Sequence, residues 1–329
     1  MAKKFLFLLV LFLFLIIGIL IGFFSPIFFD PLHIAGGVLS TTKQCPYHYI
    51  NSARCEPDLI NSKKEYVGLQ AALLKYIAKE KKNGTVTQVA VYFRDLENGP
   101  SIDLNDQLEF TPASLLKLPL MMSYYKKAED DPSLLDEKIT IPTNMQVMAQ
   151  EVQPEQTAKL GGTYTINDLI NLMIVQSDNV SWTALLEYLE KNYPNDDFVA
   201  TLNYLGIIDP TLSTNGQMIT VESYAAIFRL LYNSSYLNIP MSNQALKLLS
   251  QSDFDAGIVG GLPSGIEVAH KFGEREAGSD QQLHDCGIVY YQPDPYILCV
   301  MTRGKNISNL APVIQSISQQ VYNEVQSRT

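Results

Sequence analysis

The amino-acid sequence predicts a mixed α/β fold of the α+β type. In this fold both ends of the chain build one antiparallel sheet, and a mainly helical lobe is inserted between them. Three observations predict it: strand-like alternation near the N-terminal end of the domain, mostly helical spacing between residues 111 and 250, and a return to strand-like runs near the C-terminus. Terminal helices flank the predicted sheet, and a cleft between sheet and lobe is the expected place for a site.

The predicted strands fall into two groups. TVTQVAVYFRDL, residues 85–96, alternates like a half-buried strand, and SIDLN, residues 101–105, follows a turn as a shorter one. Near the C-terminus, the runs GIEVAHKFG, CGIVYY and YILCVMTRG have the composition of strands. Helical spacing over residues 65–82 and 309–327 predicts the flanking helices.

The middle of the chain carries signals for helix starts. Thr111 is predicted to cap a helix whose first residue is Pro112. Thr165 and Asp168 form a capping-box pattern before an apolar run. A further helix is predicted to follow Asn179, and another covers roughly residues 220–233.

The N-terminus predicts attachment to a membrane. Lys3 and Lys4 precede an unbroken apolar run, Phe5–Phe24, whose length matches the hydrocarbon core of a bilayer. We therefore predict a transmembrane signal anchor over residues 5–29 and a linker or stalk over residues 30–64, with the rest of the chain outside the cytoplasm. A cleaved signal peptide is the alternative, but the run is long for one and no small-x-small cleavage site follows it.

Composition and cysteine positions limit the partners. The formal net charge is −10 and the basic residues form no runs, which argues against a nucleic-acid partner. Cys45 and Cys55 are close enough in sequence to close a small loop in an oxidising compartment. Cys286 and Cys299 lie in apolar strand-like runs, where we expect buried free cysteines. No C-x-x-C pair or histidine cluster predicts a metal site, and no cofactor is predicted.

The first chemical motif is Ser114-Leu115-Leu116-Lys117. In the first turn of a helix, Ser114 would lie where the helix dipole favours developing negative charge. Lys117 follows one turn later on the same face, and a lysine with a depressed pKa can take the proton of a serine hydroxyl. By itself the pattern is equally typical of an ordinary surface helix.

Two further motifs follow in the chain. Ser177-Asp178-Asn179 lies between two predicted helices, where Asp or Asn would also serve as an ordinary helix cap. Lys271-Phe272-Gly273 ends a predicted strand, where a glycine often allows close approach of a ligand. An exposed lysine and a turn glycine are the structural alternative.

Taken together, the motifs resemble the S-x-x-K, S-D-N and K-T-G signature of class A β-lactamases and penicillin-binding proteins. They occur here in that order, at residues 114–117, 177–179 and 271–273. TPASLLKLPLM and GGTYTINDLINLMIVQSDN are also similar to stretches of class A β-lactamase-like proteins. The resemblance covers about residues 65–329 and implies a β-lactamase-like fold and a penicillin-recognising serine hydrolase.

The resemblance also implies catalytic roles. Ser114 would attack an amide carbonyl and form an acyl-enzyme, with Lys117 as its base or as part of the proton relay. Ser177 would carry a proton towards the leaving nitrogen. Lys271 would add positive charge and bind either Ser177 or a substrate carboxylate.

Substrate binding is implied for the remaining motif residues. Asn179 would hold the amide side chain of the substrate. The backbone N–H groups of Ser114 and Glu274, the latter directly after Gly273, would form the oxyanion hole. The expected substrate is a small-molecule β-lactam or a cell-wall peptide.

One departure from the family pattern concerns deacylation. Class A β-lactamases use an E-x-x-L-N stretch to position the deacylating water, whereas the corresponding stretch here, GIIDPTLSTNGQMIT, contains no glutamate. Glu222 falls in the next predicted helix, and we do not assign it this role. We therefore expect slow hydrolysis of a β-lactam acyl-enzyme, as is implied for D-alanyl-D-alanine peptidases.

The other departure concerns the substrate carboxylate. Phe272 stands where the family has Thr or Ser, and a phenyl ring cannot donate a hydrogen bond. Glu274 adds negative charge that would repel an anion unless Arg275 or Arg303 neutralises it. Either the substrate is not the usual carboxylate, or another cation receives it.

The histidines are predicted to be structural. His270 precedes Lys271 on a strand, so their side chains should face opposite sides of the sheet. His284 is expected in a polar loop.

Three functions remain in competition at this point. The first is a membrane-anchored, class A β-lactamase-like serine hydrolase. The second is a D-alanyl-D-alanine peptidase-like cell-wall enzyme, favoured by the missing glutamate. The third is a non-catalytic cell-envelope binding protein that kept the fold, which Phe272 and Glu274 motivate.

Overall fold

A computed structural model describes residues 49, 66–97, 101–193, 197–207, 219–276 and 278–328. Its strands are β1 (Gln88–Asp95), β2 (Ser101–Leu104), β3 (Lys138–Thr140), β4 (Thr163–Thr165), β5 (Val268–Arg275), β6 (Gln281–Val289) and β7 (Tyr296–Gly304). Within these residues, five strands form an antiparallel sheet in the order β2-β1-β7-β6-β5, and β3 pairs with β4 in a small separate sheet. No sequence pattern described above predicts this small sheet.

The main sheet joins the two ends of the domain, which confirms the predicted antiparallel arrangement. Along the β1–β7 pair, Gln88 lies opposite Arg303 and Asp95 lies opposite Tyr296. β6 pairs with both β7 and β5, so β5 is an edge strand. An edge strand has backbone N–H and C=O groups that the sheet does not use, and these are available to a neighbouring turn or to a ligand.

Two layers of helices cover the sheet. The helices are α1 (Val67–Asn83), α2 (Lys117–Ala128), α3 (Ile166–Val175), α4 (Asn179–Asn192), α5 (Asp197–Tyr204), α6 (Val221–Tyr232), α7 (Ile239–Leu249) and α8 (Leu310–Gln326). One hydrophobic cluster contains residues of α1, α8 and one sheet face, and the other contains residues of the middle helices and the opposite face. Tyr92 and Phe93 belong to different clusters, because successive side chains of a strand point to opposite faces.

The helix caps agree with the sequence in one case and differ in another. Thr165 and Asp168 form the predicted capping box at the start of α3. The predicted cap at Thr111 is wrong: a 3₁₀ turn, Ala113–Leu116, precedes α2, and its N-cap residue is Pro112, without a side-chain hydrogen bond. The prediction failed because tertiary contacts hold the chain before the turn in a conformation that no local signal reveals.

Cys286 and Cys299 form a disulfide, so the prediction of free buried cysteines is wrong. The two residues are direct partners in the β6–β7 register, and directly opposed side chains of an antiparallel pair lie on the same face. The two cysteines are 13 residues apart in sequence, and this spacing alone does not show which residues of the two strands lie opposite each other.

The predicted anchor over residues 5–29, the linker over residues 30–64 and the bridge between Cys45 and Cys55 lie outside the described residues. Within the described ranges, no helix combines the length and apolar character that a membrane span needs.

Candidate active site

Ser114 lies in the 3₁₀ turn between the β5 edge and the helical lobe. The backbone N–H of Leu115 donates to the Pro112 carbonyl at 3.0 Å, and the Tyr224 hydroxyl donates to the Leu115 carbonyl at 2.8 Å. Ala113, directly before the serine, has a φ of 49°, in the left-handed region that an alanine rarely adopts. Such a conformation persists only where surrounding contacts determine it. It sets the direction in which the Ser114 side chain points.

Three side chains of the sheet hold Thr111, the residue that leads into this turn. The Thr111 N–H donates to Gln282 Oε1 at 3.1 Å, and His284 Nε2 lies 3.1 Å from the Thr111 carbonyl, to which it donates as the Nε2–H tautomer. Arg275 donates to the Thr111 hydroxyl at 3.4 Å. Sequence reasoning missed this clamp on Thr111, because the three partners lie more than 160 residues further along the chain.

His284 is therefore structural, as predicted, but it lies in β6 and not in a polar loop. Burial lowers the pKa of His284 to about 3, although the hydrogen bond to the Thr111 carbonyl acts in the opposite direction. A neutral imidazole fits a site where one ring nitrogen donates to a carbonyl and the ring packs edge-on against Phe110 at 5.2 Å.

Lys117 lies at the centre of the motif residues. Its ammonium nitrogen is 3.0 Å from Ser114 Oγ, 3.1 Å from Ser177 Oγ and 2.7 Å from Asn179 Oδ1. Burial lowers the pKa of Lys117 to about 7, although the carboxylates of Asp178 and Glu274 favour the charged form. The nitrogen is thus within proton-transfer distance of two serine hydroxyls and can lose its own proton near neutral pH.

Ser177 is held by the turn that starts α4. It has a φ of 53°, and its carbonyl accepts a 2.6 Å hydrogen bond from Lys117. Asp178 then caps α4 by accepting from the N–H groups of Val180 and Ser181. The helix-cap role that the sequence left as an alternative for this motif is therefore filled by Asp178.

The Asp178 carboxylate also ties the helix start to a distant loop. It accepts from the Thr157 hydroxyl at 2.6 Å and from the Ala158 N–H at 3.2 Å. It is 1% exposed, so these groups have no alternative partner in bulk water. Asp178 therefore supports the site without lining the cleft.

Lys271 meets Ser177 from the β5 side. Its nitrogen donates to Ser177 Oγ at 3.0 Å and to the Phe272 carbonyl at 2.9 Å, and the side chain is fully buried. Burial holds the pKa of Lys271 well below its usual value, and the nearby Lys117 ammonium lowers it further. Of the two partners expected for Lys271, the structure pairs it with Ser177.

His270 faces the other side of β5, as predicted. Its Nδ1 lies 2.8 Å from Asp285 Oδ1, and the second oxygen of Asp285 accepts from the Ile258 N–H at 2.8 Å. The pair fixes the segment before β5 and makes no contact with the motif serines.

Asn179 is engaged by a loop that the sequence analysis did not connect with the site. Its side-chain NH₂ donates to the Met148 carbonyl at 3.0 Å, and its backbone N–H donates to Gln150 Oε1 at 3.2 Å. Residues 148–152, which we call the strap, thus lie across the amide group predicted to hold the substrate. The Asn179 NH₂ has a second hydrogen for a ligand.

Glu274 holds the other end of the strap. Its carboxylate accepts from the Glu151 N–H at 2.9 Å and from the Val152 N–H at 2.8 Å. Burial raises the pKa of Glu274, while these two hydrogen bonds lower it. The carboxylate therefore has fixed partners that the sequence could not reveal.

The two arginines considered as counter-ions for Glu274 pair with a different acid. Arg303 lies 3.0 Å from Asp280, and Arg275 lies 3.6 Å from the same residue. The charges that act on Glu274 are instead those of Lys117 and Lys271.

Gly273 allows β5 to approach the 3₁₀ turn Ala113–Leu116, which we call the nucleophile turn after the role predicted for Ser114. A Cβ atom at this position would lie 2.8 Å from Leu115 Cγ, 2.9 Å from the Pro112 carbonyl oxygen and 3.1 Å from the Leu115 nitrogen. Two of these neighbours are backbone atoms, so neither can move aside without moving Ser114. This contact gives a physical reason for glycine at the end of the motif.

Phe272 is withdrawn from the cleft. Its ring is 2% exposed and stacks on Phe254 with centroids 4.1 Å apart. The ring also lies 4.1 Å from the Lys271 nitrogen. The site thus lacks the hydroxyl of the usual motif, but the phenyl ring does not fill the space for a substrate.

These residues border a cleft of about 520 Å³, large enough for a drug-sized molecule. Its lining combines the nucleophile turn, the strap and the end of β5: Thr111, Pro112, Ala113, Ser114, Leu116, Lys117, Met148, Ala149, Gln150, Glu151, Asn179, Trp182, Glu274, Arg275 and Glu276. Ser177 and Lys271 lie behind this surface. Within the described ranges, no three His, Cys, Asp or Glu side chains are grouped so as to hold a metal ion.

A serine hydroxyl beside a buried lysine, at a cleft between an antiparallel sheet and a helical lobe, defines a serine hydrolase with a β-lactamase-like fold. Residues 69–325 match the family model Beta-lactamase2, described as the β-lactamase enzyme family. The chain belongs to this family.

Solved structures share the fold at low sequence identity. A point mutant of PBP-A, solved as an acyl-enzyme complex with penicillin G, is 19% identical with a TM-score of 0.67, and the match covers 81% of this chain and 99% of that one. The TLA-1 extended-spectrum β-lactamase is 16% identical with a TM-score of 0.66 over 80% and 99% of the two chains. A class A β-lactamase representative from Bacteroides cellulosilyticus DSM 14838 is 20% identical with a TM-score of 0.64 over 79% and 99%. No curated protein matches the chain in sequence.

Proposed function

We propose that this protein is a membrane-anchored serine hydrolase that opens β-lactams through an acyl-enzyme at Ser114. The observation that carries the proposal is the 3.0 Å contact between Ser114 Oγ and Lys117 Nζ, combined with a Lys117 pKa of about 7. A hydroxyl is a weak nucleophile until an adjacent base takes its proton, and a neutral lysine at this distance is such a base.

Acylation would proceed through successive proton transfers. Lys117 accepts the Ser114 proton while Oγ bonds to the amide carbonyl carbon, which gives a tetrahedral oxyanion. When the C–N bond breaks, Ser177 gives its proton to the leaving nitrogen and is reprotonated by Lys117, from which it is 3.1 Å away. Lys271 stabilises the Ser177 oxygen during this step from 3.0 Å.

The oxyanion would be stabilised by the backbone N–H groups of Ser114 and Glu274. Support comes from the close packing of β5 on the nucleophile turn at Gly273 and from the position of β5 at the sheet edge. One such donor is commonly worth roughly 3 to 4 kcal/mol of barrier.

Deacylation would be slow. A water molecule must attack the Ser114 ester and release the acid product, and this step needs a base. The stretch GIIDPTLSTNGQMIT contains no glutamate, and its residues 208–218 lie outside the described ranges. Of the described residues that line the cleft, Glu151, Glu274 and Glu276 carry carboxylates, and Glu274 is occupied by the strap.

A second candidate follows from the same observation. An enzyme that acylates and then deacylates slowly towards β-lactams behaves like a D-alanyl-D-alanine peptidase, whose natural substrate is a cell-wall peptide. The relative that was solved as an acyl-enzyme with penicillin G is named PBP-A, and it supports acylation by a penicillin as a probe of this site.

The location is part of the proposal. Lys3 and Lys4 before the apolar run Phe5–Phe24 favour an anchor over residues 5–29 with the domain outside the cytoplasm. A cell-wall or antibiotic substrate would be met in that compartment.

The test compares the full chain, purified in detergent, with Ser114→Ala and with Ser101→Ala as a control for loss of an exposed strand serine. Each is incubated with a chromogenic cephalosporin and with penicillin, and colour and intact mass are followed over time. A lasting adduct on wild type and Ser101→Ala, absent from Ser114→Ala, is the expected result.

Other results discriminate between the candidates. Rapid colour without a lasting adduct would favour an efficient β-lactamase with a deacylation base outside the residues named above. Neither colour nor adduct on wild type would contradict acylation and favour a non-catalytic binding protein.

A further inference from the structure

The leaving half of a substrate must lie over β5. In the proposed reaction Ser177 protonates the leaving nitrogen, and the Ser177 hydroxyl is held by Lys271 of β5 at 3.0 Å. A carboxylate attached next to that nitrogen, as in penicillins and in peptides cut at the last residue, would therefore approach the segment that contains Phe272 and Glu274. What this segment offers to an anion decides which substrates react.

The β5 segment around Phe272 and Glu274 offers no accessible lysine side chain and no hydroxyl to an anion. Lys271 is fully buried, and both Ser177 Oγ and the Phe272 carbonyl accept from its nitrogen. Phe272 presents no donor and packs on Phe254. Neither side chain can donate a hydrogen bond to an incoming carboxylate without rearrangement of the core.

The same β5 segment also carries a carboxylate with fixed partners, that of Glu274. Glu274 lines the cleft, and its oxygens accept from the N–H groups of Glu151 and Val152 at 2.9 Å and 2.8 Å. Burial raises the pKa of Glu274, whereas the two strap hydrogen bonds and, to a smaller extent, Lys117 and Lys271 lower it. The internal carboxylate thus takes up the two strap N–H donors that a substrate carboxylate could otherwise use.

Building on the proposed function, we propose that Glu274 is a specificity-determining residue that selects acyl donors without a carboxylate beside the scissile amide. The matching substrate class is internal amide bonds, or amides and esters whose leaving group is uncharged. The cleaved bond and the proton transfers are those of the proposed reaction, and only the charge of the leaving group is selected.

Arg275 offers a competing explanation, because it lines the cleft and is a cation that the proposed reaction does not use. Its guanidinium lies 3.6 Å from Asp280 and donates to the Thr111 hydroxyl at 3.4 Å. Glu276, the next residue, is a further acid on the same rim. If Arg275 received a substrate carboxylate, its removal would slow the anionic substrate alone.

The experiment uses benzylpenicillin and its uncharged methyl ester, which deliver the same acyl group. Acylation rates of the full chain are measured by intact mass for wild type, Glu274→Gln, Glu276→Gln and Arg275→Gln. Glutamine keeps an oxygen that can accept from the strap, so Glu274→Gln removes mainly the charge. Comparing the ester-to-acid rate ratio between variants cancels the difference in intrinsic reactivity of the two compounds.

We expect Glu274→Gln to lower the ester-to-acid ratio by about tenfold, the effect of removing a nearby like charge in a partly buried site. Glu276→Gln and Arg275→Gln should leave the ratio within about twofold of wild type, since Glu276 is exposed and Arg275 is already paired with Asp280. An unchanged ratio in Glu274→Gln, or a selective loss of the acid in Arg275→Gln, would overturn the proposal.

A wild-type measurement makes the test independent of how the variants fold. Repulsion between Glu274 and the acid weakens as salt rises, so acylation by the acid should accelerate between low and high ionic strength while the ester reacts at a constant rate. A rate for the acid that is flat or falls with salt contradicts the proposal. Reaction of the ester at Ser114 upholds the proposed function in either case, whereas failure of both compounds to label wild type refutes that function and the specificity with it.

Discussion

Lys117 and Lys271 hydrogen-bond the same hydroxyl, that of Ser177, from 3.1 Å and 3.0 Å. Burial lowers the pKa of both lysines, and the nearby Lys117 ammonium lowers that of Lys271 further. Lys117 can therefore lose its proton near pH 7, and this property leads to the first prediction.

The acylation rate should rise with pH through about 7 and then level off. Lys117 must be neutral to accept the Ser114 proton, and its pKa is lowered to about 7, so the active fraction is small below that value and complete above it. Burst kinetics with a chromogenic cephalosporin between pH 5 and pH 9 would measure this profile.

Lys117→Arg is the matched variant for that profile. Arginine keeps the charge and donors but does not deprotonate, so acylation should fall by about a hundredfold or more and lose the inflection. An inflection near pH 7 that survives in Lys117→Arg would assign it to another group.

Gly273→Ala should slow acylation by about tenfold to a hundredfold, because a displacement of roughly 1 Å at a reacting centre can cost that much. The added Cβ would lie 2.9 Å from the Pro112 carbonyl oxygen and 3.1 Å from the Leu115 nitrogen, so β5 or the nucleophile turn must shift. Gly68→Ala is the control, since a Cβ there meets nothing within 4 Å. Equal acylation rates for the two variants would show that the close approach does not position Ser114.

Asp178→Ala should destabilise the fold by about 3 kcal/mol or more, since it removes a helix cap and leaves buried donors unpaired. The donors include the N–H groups of Ala158 and Ser181. Asp168→Ala removes an exposed acid from the capping box at the start of α3 and should cost about 1 kcal/mol. Urea unfolding of both variants provides the comparison, and a cost for Asp178→Ala no larger than for Asp168→Ala would contradict the network described above.

Stability should fall as the pH drops from about 6.5 towards 3, in part through His284. Its pKa is lowered to about 3 in the folded state, so in this window the unfolded chain binds a proton that the folded chain does not. The contribution of His284 to the free energy of unfolding is complete above the pKa of the unfolded state. It declines by about 1.4 kcal/mol for each pH unit below that pKa.

His284→Gln tests this dependence. Glutamine can still donate to the Thr111 carbonyl but does not titrate, so the free energy of unfolding should depend less steeply on pH between about 6.5 and 4. Identical slopes for wild type and variant would mean that His284 does not titrate differently on unfolding.

The three motifs could be recognised in the sequence because each consists of residues that are close together along the chain. Ser114 and Lys117 are one helical turn apart, and Thr165 and Asp168 form their capping box within three residues, so both follow from local geometry. Alternation predicted the strands for the same reason. The family match over residues 69–325 agrees with what these local patterns indicated.

The departures needed the tertiary structure. From the sequence, Phe272 could be judged only as a missing hydroxyl, whereas the structure stacks its ring on Phe254. From the sequence, Glu274 could be judged only as a negative charge that would repel an anionic substrate. In the structure its carboxylate accepts hydrogen bonds from two N–H groups of the strap, 122 and 123 residues away in sequence.

By itself, therefore, the sequence determined the α+β architecture, the order of the three motifs and the choice of Ser114 as the candidate nucleophile, because helix period, strand alternation and caps act over a few residues. Only the tertiary structure decided the clamp on Thr111, the strap between Asn179 and Glu274, and the Cys286–Cys299 bridge. These contacts depend on strand register and on how the lobe docks against the sheet. Both result from packing across the whole chain, which no local pattern encodes.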